Sequence, residues 1–270
     1  MKLNVERNPT AGDVAIFSNI RNHKGQTHFI AESEKIVTRL LHSKLEILSF
    51  YLTESQFEVH ETEISAHDQQ SDCTIFIGSN DEMEAIIGFS MHQGILAAAK
   101  IPKERSLGEL ISDSGRPLLI VILDEIADAE NMGAMIRTSQ AIGTTVVVID
   151  KKSVSPWMRR AVRVSMGGVF DLPILTVDSL LETLSYLKAK GIPVYAATLN
   201  SNAHPIWSAD LRADCAIVLG SEGHGIKPEI IEVASKEIRI PMRDDIHSLN
   251  VGIAHGIIMF EASRQRNISV

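Results

Sequence analysis

Apolar residues fall in short runs along the chain. None approaches the roughly 20 residues a membrane-spanning helix needs. In the second half the runs are continuous Val/Ile/Leu stretches at 118–123, 145–149, 192–197, 215–219 and 237–240. Segments with helical spacing separate them at 133–142, 157–164, 179–190, 228–234 and 251–265. Strands of this kind alternating with helices predict a parallel sheet covered on both faces. The first half predicts a smaller α/β unit: a helix over 31–42, strands at 46–52 and 73–78, an acidic-capped helix over 80–89, and a turn and last strand at 92–98. Residues 1–30 carry no clear pattern. Gly, Ser and Pro gather at 106–117, which predicts a linker between domains at 1–105 and 118–270.

Composition narrows the class. Of 270 residues, 44% are hydrophobic and 22% charged, which fits a folded protein rather than a disordered one. The opening residues contain no apolar signal core, so a cytoplasmic protein is expected. Cys73 and Cys215 sit in apolar strands without zinc or redox spacing, and read as buried thiols. A net charge of −8 excludes a protein that coats nucleic acid with its whole surface. A local patch remains open. The run 151–163 carries Lys151, Lys152, Arg159, Arg160 and Arg163 with no acid among them. It reads as a set of phosphate contacts or as a solvated helix face.

Ligands of parallel sheets bind where strands end, so the loops after strands hold the candidate chemistry. In 123–138 an acidic loop leads to a helix starting near Asn131, a good N-cap, with Arg137 further along. This reads as a capped helix with a surface arginine, or as a phosphate or ribose site at a helix start. In 218–226, three glycines surround Glu222 directly after a strand. That spacing is neither the dinucleotide fingerprint nor a P-loop. It is an ordinary Gly-rich turn or a place where the backbone approaches a ligand. His224 has no second metal ligand at suitable spacing, and no metal is expected. In 240–254, Pro241 ends a strand, and Ser248 or Asn250 can cap the long helix that follows.

Taken together and in order, N-x-G-A-x-x-R-T at 131–138, G-S-E-G-x-G at 220–225, and I-P-M at 240–242 followed by S-L-N-V at 248–251 resemble the three motifs of the SpoU (TrmH-type) RNA 2′-O-ribose methyltransferases. R-A-V-R-V-S-M-G at 160–167 resembles the family's R-A-S-x-G segment. H-Q-G-I-L-A at 92–97 resembles the end of an N-terminal RNA-binding domain with the small α/β fold of certain ribosomal proteins.

The resemblance implies a parallel-sheet α/β domain tied in a trefoil knot, a bound S-adenosyl-methionine, and a homodimer formed through the C-terminal domain. It implies cofactor contacts at Gly220, Ile240 and Leu249, with Leu219 and Met242 beside them. Asn131, Arg137, Glu222, Ser248 and Asn250 match the family's catalytic and RNA-positioning residues. The expected activity is methyl transfer to a ribose 2′-hydroxyl of structured RNA, ribosomal RNA ahead of transfer RNA. The other readings are a non-catalytic RNA-binding or assembly factor on the same fold, and a nucleotide-dependent oxidoreductase, which lacks its glycine fingerprint. Two departures stand out. Asp128-Ala129 replaces the family's Asp-Pro, and Arg243-Asp244-Asp245 lies where small residues are common. The proton of the hydroxyl is left to Arg137 or Glu222, with Glu222 alternatively orienting Arg137.

Overall fold

In the computed structural model, residues 3–7, 9–18, 26–68, 73–88, 93–115, 117–243, 245 and 248–266 are described. His92 and Asp244, singled out above, lie outside them. The elements are β1 (Asn4–Arg7), β2 (His28–Glu32), α1 (Glu34–Leu41), β3 (Ile47–Leu52), α2 (Glu54–Asp68), β4 (Thr74–Ile77), α3 (Asn80–Ile87), β5 (Ile95–Lys100), α4 (Leu107–Asp113), β6 (Leu119–Asp124), α5 (Ala129–Ile142), β7 (Val146–Asp150), α6 (Arg159–Val164), β8 (Ile174–Val177), α7 (Leu180–Ala189), β9 (Val194–Ala197), β10 (His204–Pro205), β11 (Cys215–Gly220), α8 (Pro228–Val233), β12 (Lys236–Arg239) and α9 (Val251–Arg266). The chain divides into two compact units, Met1–Lys103 with Trp157–Phe170, and Glu104–Pro156 with Asp171–Val270.

The first unit is built on a five-stranded sheet of order β1-β4-β3-β5-β2, with β1, β4 and β3 parallel and β5 antiparallel to both β3 and β2. The expected helix at 31–42 is shorter, because Ala31 and Glu32 finish β2. Besides β2, two elements of this unit escaped the pattern. β1 lies at the sheet edge with mostly exposed residues. α2 buries only Phe57, His60 and Ile64, too thin a seam to stand out in so polar a segment. Trp157–Phe170, within the second domain by sequence, groups with this unit, where α6 faces β2.

The second unit holds a seven-stranded, all-parallel sheet of order β10-β12-β9-β11-β6-β7-β8. Every residue of β6 and β7 is buried, as a strand covered on both faces requires. The segment expected as a linker carries α4. Ser106 and Glu109 form a capping box that starts α4, and Leu110 and Ile111 enter the core of this unit. Within 106–117, Ser106 is therefore the cap of a helix. α9 packs along α5 and buries Val251, His255, Ile258, Met259 and Ala262 on one face. Its last turn is held by Arg266, whose guanidinium donates to the carbonyls of Leu211 (2.6 Å), Ala213 (2.7 Å), Leu118 (2.8 Å) and Pro117 (2.9 Å).

Candidate active site

The helix that carries the first motif starts earlier than its sequence suggests. Asp128, not Asn131, is the N-cap of α5: its Oδ1 accepts the backbone N–H groups of Glu130 and Asn131, both at 2.8 Å. This shift matters chemically. With the cap supplied by Asp128, the side chain of Asn131 is free to point at other loops.

It meets Glu222 and Asn250. Asn131 Nδ2 donates to Glu222 Oε1 at 3.0 Å, and Asn250 Nδ2 donates to the same oxygen at 2.5 Å and to Asn131 Oδ1 at 2.9 Å. The Val251 backbone N–H points to that oxygen too, at 3.4 Å. Asn250 also caps α9, since its Oδ1 accepts Ile253 N–H at 3.2 Å. One carboxylate oxygen thus ties the three motif loops together. Gly252 lets α9 come this close: a Cβ there would lie 3.2 Å from Asn250 Oδ1 and 3.4 Å from Asn131 Oδ1.

Arg137 stands apart. It is exposed on α5 and makes no hydrogen bond or ion pair among the described residues. Glu222 is hydrogen-bonded to the two asparagines and not to Arg137, so of the two roles raised for it, orienting the arginine is not what this arrangement does.

Beside the trio lies a cavity of about 420 Å³, lined by Leu219, Gly220, Ser221, Glu222, Ser248 and Leu249 among others. That volume is typical of small-molecule sites. A smaller apolar cavity takes in Ile240, Met242 and Leu249. Both include Ala197, Thr198 and Leu199, which the sequence reading missed. The signal was available: Ala197 ends β9 and Thr198 and Leu199 follow it, and strand ends are where ligands sit in parallel sheets. The glycine that opens the loop is required by the protein itself. A Cβ on Gly220 would lie 2.1 Å from the carbonyl carbon and oxygen of Gly225 and 2.3 Å from Ile226 N. The room at Gly220 is taken by the returning backbone of its own loop, not only by whatever fills the cavity.

The basic run is not a bare patch. Lys151 pairs with Asp178 at 2.5 Å, Lys152 with Glu125 at 2.8 Å, Arg159 with Glu32 at 3.0 Å, and Arg163 with Glu32 at 3.9 Å. Arg159 is partly buried, and burial pulls its guanidinium below the usual arginine range against the opposing pull of Glu32. Arg160 is exposed.

The unit is thus a parallel α/β domain with a carboxamide–carboxylate trio at its strand ends and, beside it, a cavity large enough for a small molecule. Residues 118–260 match the SpoU rRNA Methylase family, and the chain belongs to it. It is an RNA ribose methyltransferase that uses S-adenosyl-methionine as methyl donor. It is 33% identical over 192 residues to the 23S rRNA (guanosine-2'-O-)-methyltransferase RlmB of Acinetobacter baylyi, covering 70% of this chain and 77% of that protein. It is 37% identical over 180 residues to the protein of the same name from Photobacterium profundum, covering 66% and 73%. The fold matches the AdoMet-bound rRNA methyltransferase of Sinorhizobium meliloti with a TM-score of 0.82, at 23% identity, over 99% of this chain and 100% of that one.

Proposed function

We propose that the protein methylates the 2′-hydroxyl of a guanosine in 23S ribosomal RNA, the reaction for which its RlmB relatives are named. The observation that carries the catalytic half of this reading is the convergence of Asn131, Glu222 and Asn250 on one another. A non-catalytic RNA-binding descendant would have no need to keep three polar side chains locked together at the mouth of a cavity.

The cavity suits the cofactor. Its walls mix apolar side chains with the backbone of a glycine-rich loop, which is what an adenosine and a methionine chain require. Leu219, Gly220, Ile240, Met242 and Leu249 would hold it. When bound, S-adenosyl-methionine supplies an electrophilic methyl group on a sulfonium.

The protein then has to align a hydroxyl and handle its proton. Glu222 Oε1 already accepts three N–H groups, so its part is to hold the asparagines and the start of α9 in place. Arg137, exposed and without a partner among the described residues, is suited to hold a phosphate and to stabilise the alkoxide that forms as the proton leaves. An arginine gives up its own proton in almost no protein setting, so electrostatic support is the role its chemistry favours. Ser248, exposed on the cavity wall, is placed to orient the ribose.

Lys151, Lys152, Arg160 and Arg163 are the phosphate contacts on this reading, and an exposed pair such as Lys151–Asp178 is weak enough for phosphate to displace. Arg159 holds α6 to Glu32 and contributes least. The small N-terminal sheet is the RNA-selecting domain on this reading, and 118–270 is the knotted methyltransferase domain. A homodimer is supported by the stripe Ile253, Ile257 and Phe260, apolar and exposed along α9 at helical spacing, with Phe260 at 67% exposure. The reaction takes place in the cytoplasm.

The test is a map of ribose methylation in 23S ribosomal RNA from cells with and without the gene. Loss of one modified guanosine is the expected result. An unchanged map in ribosomal RNA with a lost site in transfer RNA would overturn the substrate.

A further inference from the structure

A second charged cluster gathers at the end of β6, with no part in the steps described so far. Asp124 is fully buried at the end of β6. Lys227, just before α8, donates its backbone N–H to Asp124 Oδ2 at 2.9 Å and its Nζ to Asp124 Oδ1 at 2.7 Å. Nζ also lies 3.0 Å from Glu125 Oε1 and 3.8 Å from Asp150 Oδ2. Asp150 and Ser153 fix the other side, accepting the backbone N–H groups of Glu125 at 3.1 Å and Ile126 at 2.9 Å. Glu125 itself has a positive φ of 54°, a conformation an ordinary side chain adopts only when its surroundings impose it. Three acids gathered this tightly have the spacing of a cation site, but the Lys227 ammonium fills the position a cation would take.

The arrangement has a geometric consequence. β11 runs beside β6 with Gly220 in register with Asp124. The loop that carries Gly220 and Glu222 therefore leaves the sheet beside Asp124 and returns to the same residue at Lys227. One end is held by the β6–β11 ladder at the backbone of Asp124 and the other by the buried Asp124 carboxylate, while in between Ser221 accepts the N–H groups of Gly225 at its carbonyl and of His224 at its hydroxyl.

We propose that Lys227 and Asp124 are positioning residues for methyl transfer: their contact closes the 220–226 loop, and so sets Gly220 against the cofactor and Glu222 against Asn131 and Asn250. The proposal rests on the reading of that loop as the cofactor loop. Hydrophobic packing alone does not supply this closure, since of 221–225 none is buried and Ile226 is the first buried residue after the strand.

The experiment compares the parent with Lys227→Met, Lys227→Arg and the double variant Lys227→Met/Asp124→Asn. The double variant removes the charges of the closing pair together, so that Asp124 is not left as a buried carboxylate without its cation. Amide hydrogen exchange is measured in each full-length protein without ligand, and S-adenosyl-methionine binding is measured by calorimetry. Single-turnover methylation of a 23S ribosomal RNA fragment at saturating cofactor completes the set. Parent activity and parent binding test the reading of the site; the variants test the closure. Expected in Lys227→Met and in the double variant are faster exchange confined to 221–226, with the α7 core unchanged, cofactor affinity weakened at least tenfold, and a slower single turnover. Lys227→Arg restores most of the affinity. A merely stabilising ion pair would lower the melting temperature and leave loop exchange and affinity alone. Parental loop exchange and affinity in a folded double variant would overturn the proposal.

Discussion

Glu222 Oε1 accepts the side-chain amide of Asn131 at 3.0 Å across 91 residues of chain. The contact makes the site a product of tertiary structure, since neither residue has a chemical role in its own loop.

Glu222→Gln tests it. The swap keeps the shape but replaces a charged acceptor of three N–H groups with an amide. Single-turnover methylation should slow by about 10²–10³-fold, the usual cost of spoiling a preorganised polar site. Calorimetric cofactor affinity should stay within a few-fold, roughly. A turnover rate equal to the parent's would remove Glu222 from the machinery.

Arg137→Ala should abolish methyl transfer and leave cofactor binding nearly intact, because Arg137 lies outside both cavities. Lysine at this position should recover only part of the rate, since it keeps the charge but not the planar fork. Rates and binding isotherms, read side by side, decide it.

Gly220→Val should eliminate cofactor binding in equilibrium dialysis. The expected cause is displacement of the loop, because a Cβ would collide with the Gly225 carbonyl at 2.1 Å. Gly220→Ala should already be severe, for the same backbone contact. Tight binding by Gly220→Ala would show that the loop can move aside cheaply.

His255 gives a pH signature. Burial pushes its imidazole down to about 3, and Ser139 Oγ lies 3.1 Å from its Nε2. In the unfolded chain it titrates near 6.5, as an ordinary histidine does. The unfolded state thus binds the extra proton between about pH 6.5 and 3, so its contribution to stability is complete above the upper value and is lost as pH falls. The slope is at most about 1.4 kcal/mol per pH unit. Urea titrations at pH 5 and 7.5 should show a smaller pH effect in His255→Leu than in the parent.

Leu110→Ala should cost about 2–3 kcal/mol in denaturant unfolding, the usual cost for a buried leucine. A loss near zero would mean that α4 is docked only loosely, as the linker reading of 106–117 implied.

The second unit was largely legible because its physics is local. Continuous apolar strands such as 118–123 and 215–219 announce a covered parallel sheet, and the structure departs from those spans by a residue or so. Capping was harder. Asn131 and Asp128 are both good N-caps three residues apart, and only the pull of Glu222 and Asn250 decides between them. Charge was harder again. The run 151–163 holds no acid, yet Asp178, Glu125 and Glu32 answer it from distant positions. No inspection of neighbours in sequence finds those partners.

Arg266 adds a temporal dimension. It reaches back 149 residues to the carbonyl of Pro117, and α9 brings Asn250 with it. During translation the chain emerges from its N-terminus at about 5–20 residues per second, and contacts this distant in sequence form last. Asn131 and Glu222 are therefore both made before the segment that completes their trio. Until that helix has been made and docked, the nascent chain is an enzyme without an active site, close to ribosomal RNA but unable to mark it.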